Sequence, residues 1–115
     1  MGVDFSHGDV HFSYGNFNRF RRKLALEICV DAAEMEGFGG STSWDEIHDP
    51  LVPFLRAGDT DGEIPSHDCQ FVADRIREIV ATSPEEPTLY WKDMALRVAE
   101  AMQIAADKGE VFRLC

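Results

Sequence analysis

Four carboxylates fall within ten residues, at Asp59, Asp61, Glu63 and Asp68, with no lysine or arginine between them. That density suits a hard cation. Ca²⁺ takes about six to eight oxygens at roughly 2.3–2.6 Å. Two aspartates at i and i+2 in a tight turn both point inward, and Gly62 directly after them supplies a positive φ. Ile64 then pins the exit to the core, and Asp68 closes the shell from the next helix. An ordinary turn explains most of the same residues. Asp59 caps its own backbone, Gly62 takes the left-handed position, and Asp68 suits the first turn of a helix begun by Ser66. The residues alone leave both readings open.

A second constellation is His7, Asp9 and His11, at i, i+2 and i+4. On a strand all three side chains project from one face. Two imidazoles and a carboxylate are a ligand set for zinc or non-haem iron, and Asp4 joins from the preceding turn. Neighbours on one strand face stand about 6–7 Å apart, so convergence needs a bend, which Gly8 supplies. The alternative is a solvent-facing polar edge. His48 and His67 are isolated. Cys69 lies two residues from His67, which puts them on different faces of a helix and argues against a Cys–His nucleophile. Cys29 is expected in the core, and Cys115 at the chain end. No G-x-S-x-G, P-loop, G-x-G-x-x-G or H-E-x-x-H pattern occurs.

Helices must position these residues. The Val- and Phe-rich segment 3–13 alternates and predicts a strand, with Val10 and Phe12 on one face. Asn16 is the expected cap of a first helix over 17–36, with Phe17, Phe20, Leu24 and Ile28 inward and Gly37 as its stop. Its first half carries Arg19, Arg21, Arg22 and Lys23, and its second half Glu27, Asp31, Glu34 and Glu36. Ser43 to Glu46 forms a capping box for a short helix that restarts after Asp49-Pro50 and runs through Leu51, Phe54 and Leu55. Helices over 67–81 and 88–108 follow, split by Ser83-Pro84-Glu85-Glu86-Pro87. The third buries Phe71 or Val72, Ile76, Ile79 and Val80. The fourth buries Trp91, Met94, Ala95, Val98, Met102 and Ala105, and Gly109 ends it. The tail Val111, Phe112 and Leu114 pairs with the N-terminal strand or packs as coil. Phe38, Trp44 and Phe54 suit either an interface or the core.

The expected fold is therefore mainly α, with a small α+β variant possible. It is a single domain over 1–115, with four helices, a helix–loop–helix unit and a short two-stranded sheet built from the termini.

The loop and its flanks carry a resemblance. Asp59, Asp61, Gly62, Ile64 and Asp68 resemble the calcium loop of the EF-hand, in the form found in dockerin modules with a closing Asp. The resemblance implies that Asp59 and Asp61 fill the third and fifth loop positions. It implies that Glu63 gives its carbonyl and Asp68 closes the loop. The first position is Ala57, which has no side-chain oxygen, and the ninth is Pro65. The implied Ca²⁺ site is therefore weak, at the millimolar end of the known range. Most of the chain also looks like a family of small uncharacterised bacterial and phage-encoded proteins. That likeness rests on Phe12-Ser13-Tyr14-Gly15, Phe17, the Arg19–Arg22 run, Met35 to Gly40, Asp49-Pro50-Leu51 and Asp61-Gly62-Glu63. It implies no activity.

Composition bounds the partners. The 115 residues hold 21 acidic and 11 basic side chains, a formal charge of −10. Residues 1–23 have four basic and two acidic residues, so they carry +2 and the remainder −12. Such a chain disfavours nucleic acid and anionic membrane surfaces. The basic run beside Phe17 and Phe20 is the one segment suited to phosphate or RNA. Three cysteines without C-x-x-C spacing, no signal peptide and no apolar membrane run suggest a cytoplasmic protein. The reading that follows is a small acidic interaction protein without catalytic activity that binds a protein partner. A calcium-binding EF-hand-like domain is one alternative. A metal-dependent enzyme built on His7, Asp9 and His11 is the other.

Overall fold

The computed structural model describes residues 2–57, 62–82 and 90–114. The chain is mainly α with small β additions. In order it forms β1 (Val3–Asp4), β2 (His11–Phe12), α1 (Tyr14–Glu27), α2 (Val52–Leu55), β3 (Glu63–Ile64), α3 (Ser66–Thr82), α4 (Tyr90–Lys108) and β4 (Phe112–Arg113). Two single 3₁₀ turns, Ala32–Glu34 and Trp44–Glu46, lie between α1 and α2.

The single sheet expected from the two termini is replaced by two separate two-stranded sheets. β1 pairs antiparallel with β2, setting Val3 opposite Phe12 and Asp4 opposite His11. β3 pairs antiparallel with β4, setting Glu63 opposite Arg113 and Ile64 opposite Phe112. The termini still meet through a bridge between Phe5 and Leu114 and a bond from the Ser6 N–H to the Arg113 carbonyl. The single strand expected over 3–13 therefore folds back on itself. Gly8 is the cause: it holds φ +73°, and a Cβ there would stand 2.8 Å from the Ala101 Cβ on α4.

α1 starts earlier and stops sooner than periodicity predicts. Ser13 is the N-cap, its hydroxyl accepting from the Asn16 N–H at 3.2 Å. The helix ends at Glu27, not Glu36. Val30 N–H donates to the Ala25 carbonyl at 2.9 Å and Cys29 N–H to the Leu26 carbonyl at 3.0 Å. Those two bonds are a Schellman closure, with Cys29 at φ 61° in the position glycine normally takes. Asp31 then caps the first 3₁₀ turn, accepting from the Ala33 N–H. α4 closes the same way, with Gly109 in the left-handed position, as expected.

α3 and α4 pack along their lengths as an antiparallel hairpin. Gln70, early in α3, and Gln103, late in α4, exchange amide hydrogen bonds of 3.1 and 2.7 Å. Val72, Ala73 and Ile76 of α3 and Val98, Ala99 and Met102 of α4 are buried in the core, and Phe71 points outward at 60% exposure. Asp49 joins α2 to α3. Its carboxylate accepts from the Leu51 N–H at 3.0 Å and from the Arg75 guanidinium at 3.2 Å. Trp44 and Phe54 are core residues, and Phe38 packs edge-on against Trp44.

An L-residue in the left-handed region costs roughly 1–2 kcal/mol that glycine does not incur. Cys29→Gly should therefore raise unfolding stability by about 1 kcal/mol, measured by urea denaturation, and the β-branched Cys29→Val should lower it.

Candidate functional site

The carboxylate loop is described only at its two ends. Asp59 and Asp61 lie outside the described residues. At the near end, the Ala57 carbonyl accepts from Arg21 Nη1 at 2.8 Å. Arg21 is buried at 8% exposure, its guanidinium 4.5 Å from the Phe17 ring centre and 4.7 Å from that of Phe38. The basic run on α1 is thus not one surface patch: Arg21 turns inward and holds the start of the loop. At the far end Gly62 gives its carbonyl to the Leu114 N–H at 2.9 Å. The Glu63 carboxylate lies 3.7 Å from Arg113, across the β3–β4 pair. Asp68, in the first turn of α3, has His67 Nε2 at 3.4 Å. Glu63 sits on β3 and Asp68 in the first turn of α3. Both border an open cleft with Ala57 and Gly62.

His7, Asp9 and His11 do not share a strand face, because residues 6–9 form the turn between β1 and β2. His11 Nδ1 pairs with Asp4 at 2.6 Å on the exposed hairpin edge. Asp9 borders a cleft with Arg97 and Glu100 of α4. His7 turns the other way. Its side chain is 11% exposed and stacks on Phe112, with ring centres 6.1 Å apart. His7 Nε2 bonds Glu110 at 3.0 Å and Nδ1 bonds the Ser6 hydroxyl at 2.7 Å, while that hydroxyl accepts from the Arg113 N–H at 2.8 Å. The chain of bonds ties the first turn to the last strand. Among the described residues, no group of three or more His, Cys, Asp or Glu side chains is placed to hold one metal ion.

The cysteines separate by environment. Cys69 is buried, its thiol 3.5 Å from the Ile64 carbonyl, and burial pushes its pKa up to about 11. A thiol held protonated in this way is a poor nucleophile. Cys29, expected in the core, is exposed on the turn after α1.

A different feature has the form of a site. Between α1 and α4 lies a cavity of about 350 Å³, lined by Phe12, Asn16, Arg19, Phe20, Lys23, Trp91 and Met94. Its floor is apolar, and two cations stand on its α1 side. Lys23 Nζ lies 5.0 Å from the Trp91 ring centre and 3.2 Å from Glu27. Arg19 is exposed, with Nη1 3.3 Å from the Asn16 side-chain oxygen. Among the described residues no carboxylate lines the cavity. The Trp91 indole N–H is buried with no hydrogen-bond partner among the described residues. Trp91 and Met94 read in sequence as members of the α4 core stripe. They sit at its margin, partly buried. The helical spacing held the signal that these residues share a face, but not that the face is left partly open.

No protein-family model, no curated protein and no solved structure matches this chain.

The hydrogen bond from His7 holds the Glu110 carboxyl below its ordinary value, with the charges of His7 and Lys108 adding to it. A lowered carboxyl pKa contributes stability above the unfolded value and loses it as pH falls through the folded one. Wild type should therefore lose stability faster than Glu110→Gln as pH drops below about 4.5. Thermal unfolding followed from pH 7 to pH 3 checks this, and parallel curves would contradict it.

Proposed function

We propose that this chain is a small acidic binding protein that recognises a protein partner through the groove between α1 and α4. The observation that supports the reading is the groove itself. It has the size and the apolar floor of a binding pocket. It is bounded by partly buried Trp91 and Met94 and rimmed by Arg19 and Lys23. An aromatic anchor and an arginine beside a desolvated pocket are the residue types that dominate binding at protein interfaces. The Trp91 N–H, without a partner among the described residues, fits the same reading, since buried donors in folded proteins normally find an acceptor.

Selection of displayed random peptides against the purified protein tests this. Enriched peptides should bind wild type and should lose at least tenfold in affinity to Met94→Asp, about 1.4 kcal/mol. Leu96→Asp, an exposed change elsewhere on α4, should leave binding intact. Failure to enrich any sequence, or equal binding to Met94→Asp, would remove the groove as the site.

A second reading is weak Ca²⁺ binding by the loop, with Asp59, Asp61, Glu63 and Asp68 as its carboxylates. It draws support from the cleft that Ala57, Gly62, Glu63 and Asp68 border together. The Arg21 guanidinium bonded to Ala57 puts positive charge at the start of that loop, which lowers its affinity for any cation. Calorimetry should show binding no tighter than about 10⁻³ M, lost in Asp61→Asn. A titration without heat at tens of millimolar Ca²⁺ would end this reading.

A further inference from the structure

We infer that the occupant of the α1–α4 groove is an acidic–apolar segment of a partner protein: a bulky apolar side chain flanked by carboxylates. The inference rests on the groove being the docking site and names what docks there. Charge complementarity decides it. The molecule carries −10, so an acidic segment is repelled by most of its surface. The groove departs from that field, because its described lining holds Arg19 and Lys23 and no carboxylate. An acidic segment is therefore admitted at this place and discouraged elsewhere, which gives specificity by repulsion as well as attraction. Lys23 already has Glu27 at 3.2 Å, so it is a shared cation. Arg19, exposed on the same face and with a 3.3 Å hydrogen bond to Asn16, is the side chain best placed to turn to a carboxylate. Phe12, Phe20, Trp91 and Met94 provide the floor for one large apolar side chain. A basic segment is disfavoured here by the same two cations.

Three peptides labelled with fluorescein at the N-terminal amine test the assignment: Gly-Glu-Glu-Phe-Leu-Glu-Glu-amide and its counterparts with every Glu replaced by Gln or by Lys. Binding is read by anisotropy, and the location by backbone amide shifts of the full chain. The Glu peptide should shift residues 16–23 and 91–94. It should bind about tenfold more tightly than the Gln peptide and lose that advantage in 1 M salt, and the Lys peptide should leave the groove residues unshifted. Arg19→Glu should remove the preference for Glu over Gln while leaving the amide spectrum that of a folded protein. Glu and Gln peptides binding equally well at the groove would overturn the acidic assignment and leave the docking site standing. No shift at the groove with any of the three, in a protein whose display-selected peptides also miss it, would overturn the site and the assignment together. Groove shifts that grow with protein concentration alone, with a dimer in sedimentation, would make the occupant a second copy of this chain and also overturn the assignment.

Discussion

A cluster of six phenylalanines holds the architecture together. Phe5 contacts Phe12, Phe17 and Phe112, with ring centres 5.9, 6.2 and 5.0 Å apart. Phe12 touches Phe17 and Phe20, and both of those reach Phe54 of α2. The N-terminal hairpin, α1, α2 and the last strand thus converge on one set of rings. Edge-to-face pairs of this kind add roughly 0.5–1.5 kcal/mol each to the area they bury. The cluster also sets the face α1 turns toward α4. Phe12 and Phe20 belong both to the cluster and to the floor of the groove, so the packing that closes the core leaves the cavity beside it.

Charge is arranged around that core rather than spread over it. Arg21 leaves the α1 surface to cover Phe17 and Phe38 and to bind the Ala57 carbonyl. A guanidinium does this at lower cost than an ammonium, because it is weakly hydrated and stacks on rings. Asp49 and Arg75 make a similar junction between α2 and α3. The basic run of α1 divides accordingly. One residue is structural, Arg22 lies over Phe38, and Arg19 and Lys23 border the groove. This division, more than the total of −10, defines the electrostatics of the proposed site.

Helix ends show where local sequence suffices and where it does not. α1 and α4 close with the same pair of hydrogen bonds. At α4 the left-handed residue is Gly109, and its stop is legible because glycine alone takes that conformation without a Cβ penalty. At α1 it is Cys29, which carries no such mark, so the apolar spacing runs on to Glu36. The N-terminal segment fails differently. Alternation over 3–13 is real, and Val3, Val10 and Phe12 are buried. Alternation does not register a reversal, and Gly8 against Ala101 turns one expected strand into a hairpin. His7 and His11 then go to opposite neighbours, and the expected metal constellation disperses.

The helical class, the number of helices, the inward stripes of α3 and α4, and the concentration of carboxylates between α2 and α3 are all legible in the residues alone. All of these follow from local periodicity, capping and composition. Tertiary structure decided which charged residues are interior, which strands pair, and where apolar surface stays open. Arg21 and Ala57 are 36 positions apart, and Phe20 and Trp91 lie still further apart along the chain. No local pattern records that two such segments meet, or that they stop short of closing. The groove exists because α1 is held by the phenylalanine cluster and α4 by α3. Each helix satisfies its own packing, and the space between them is what those two constraints leave.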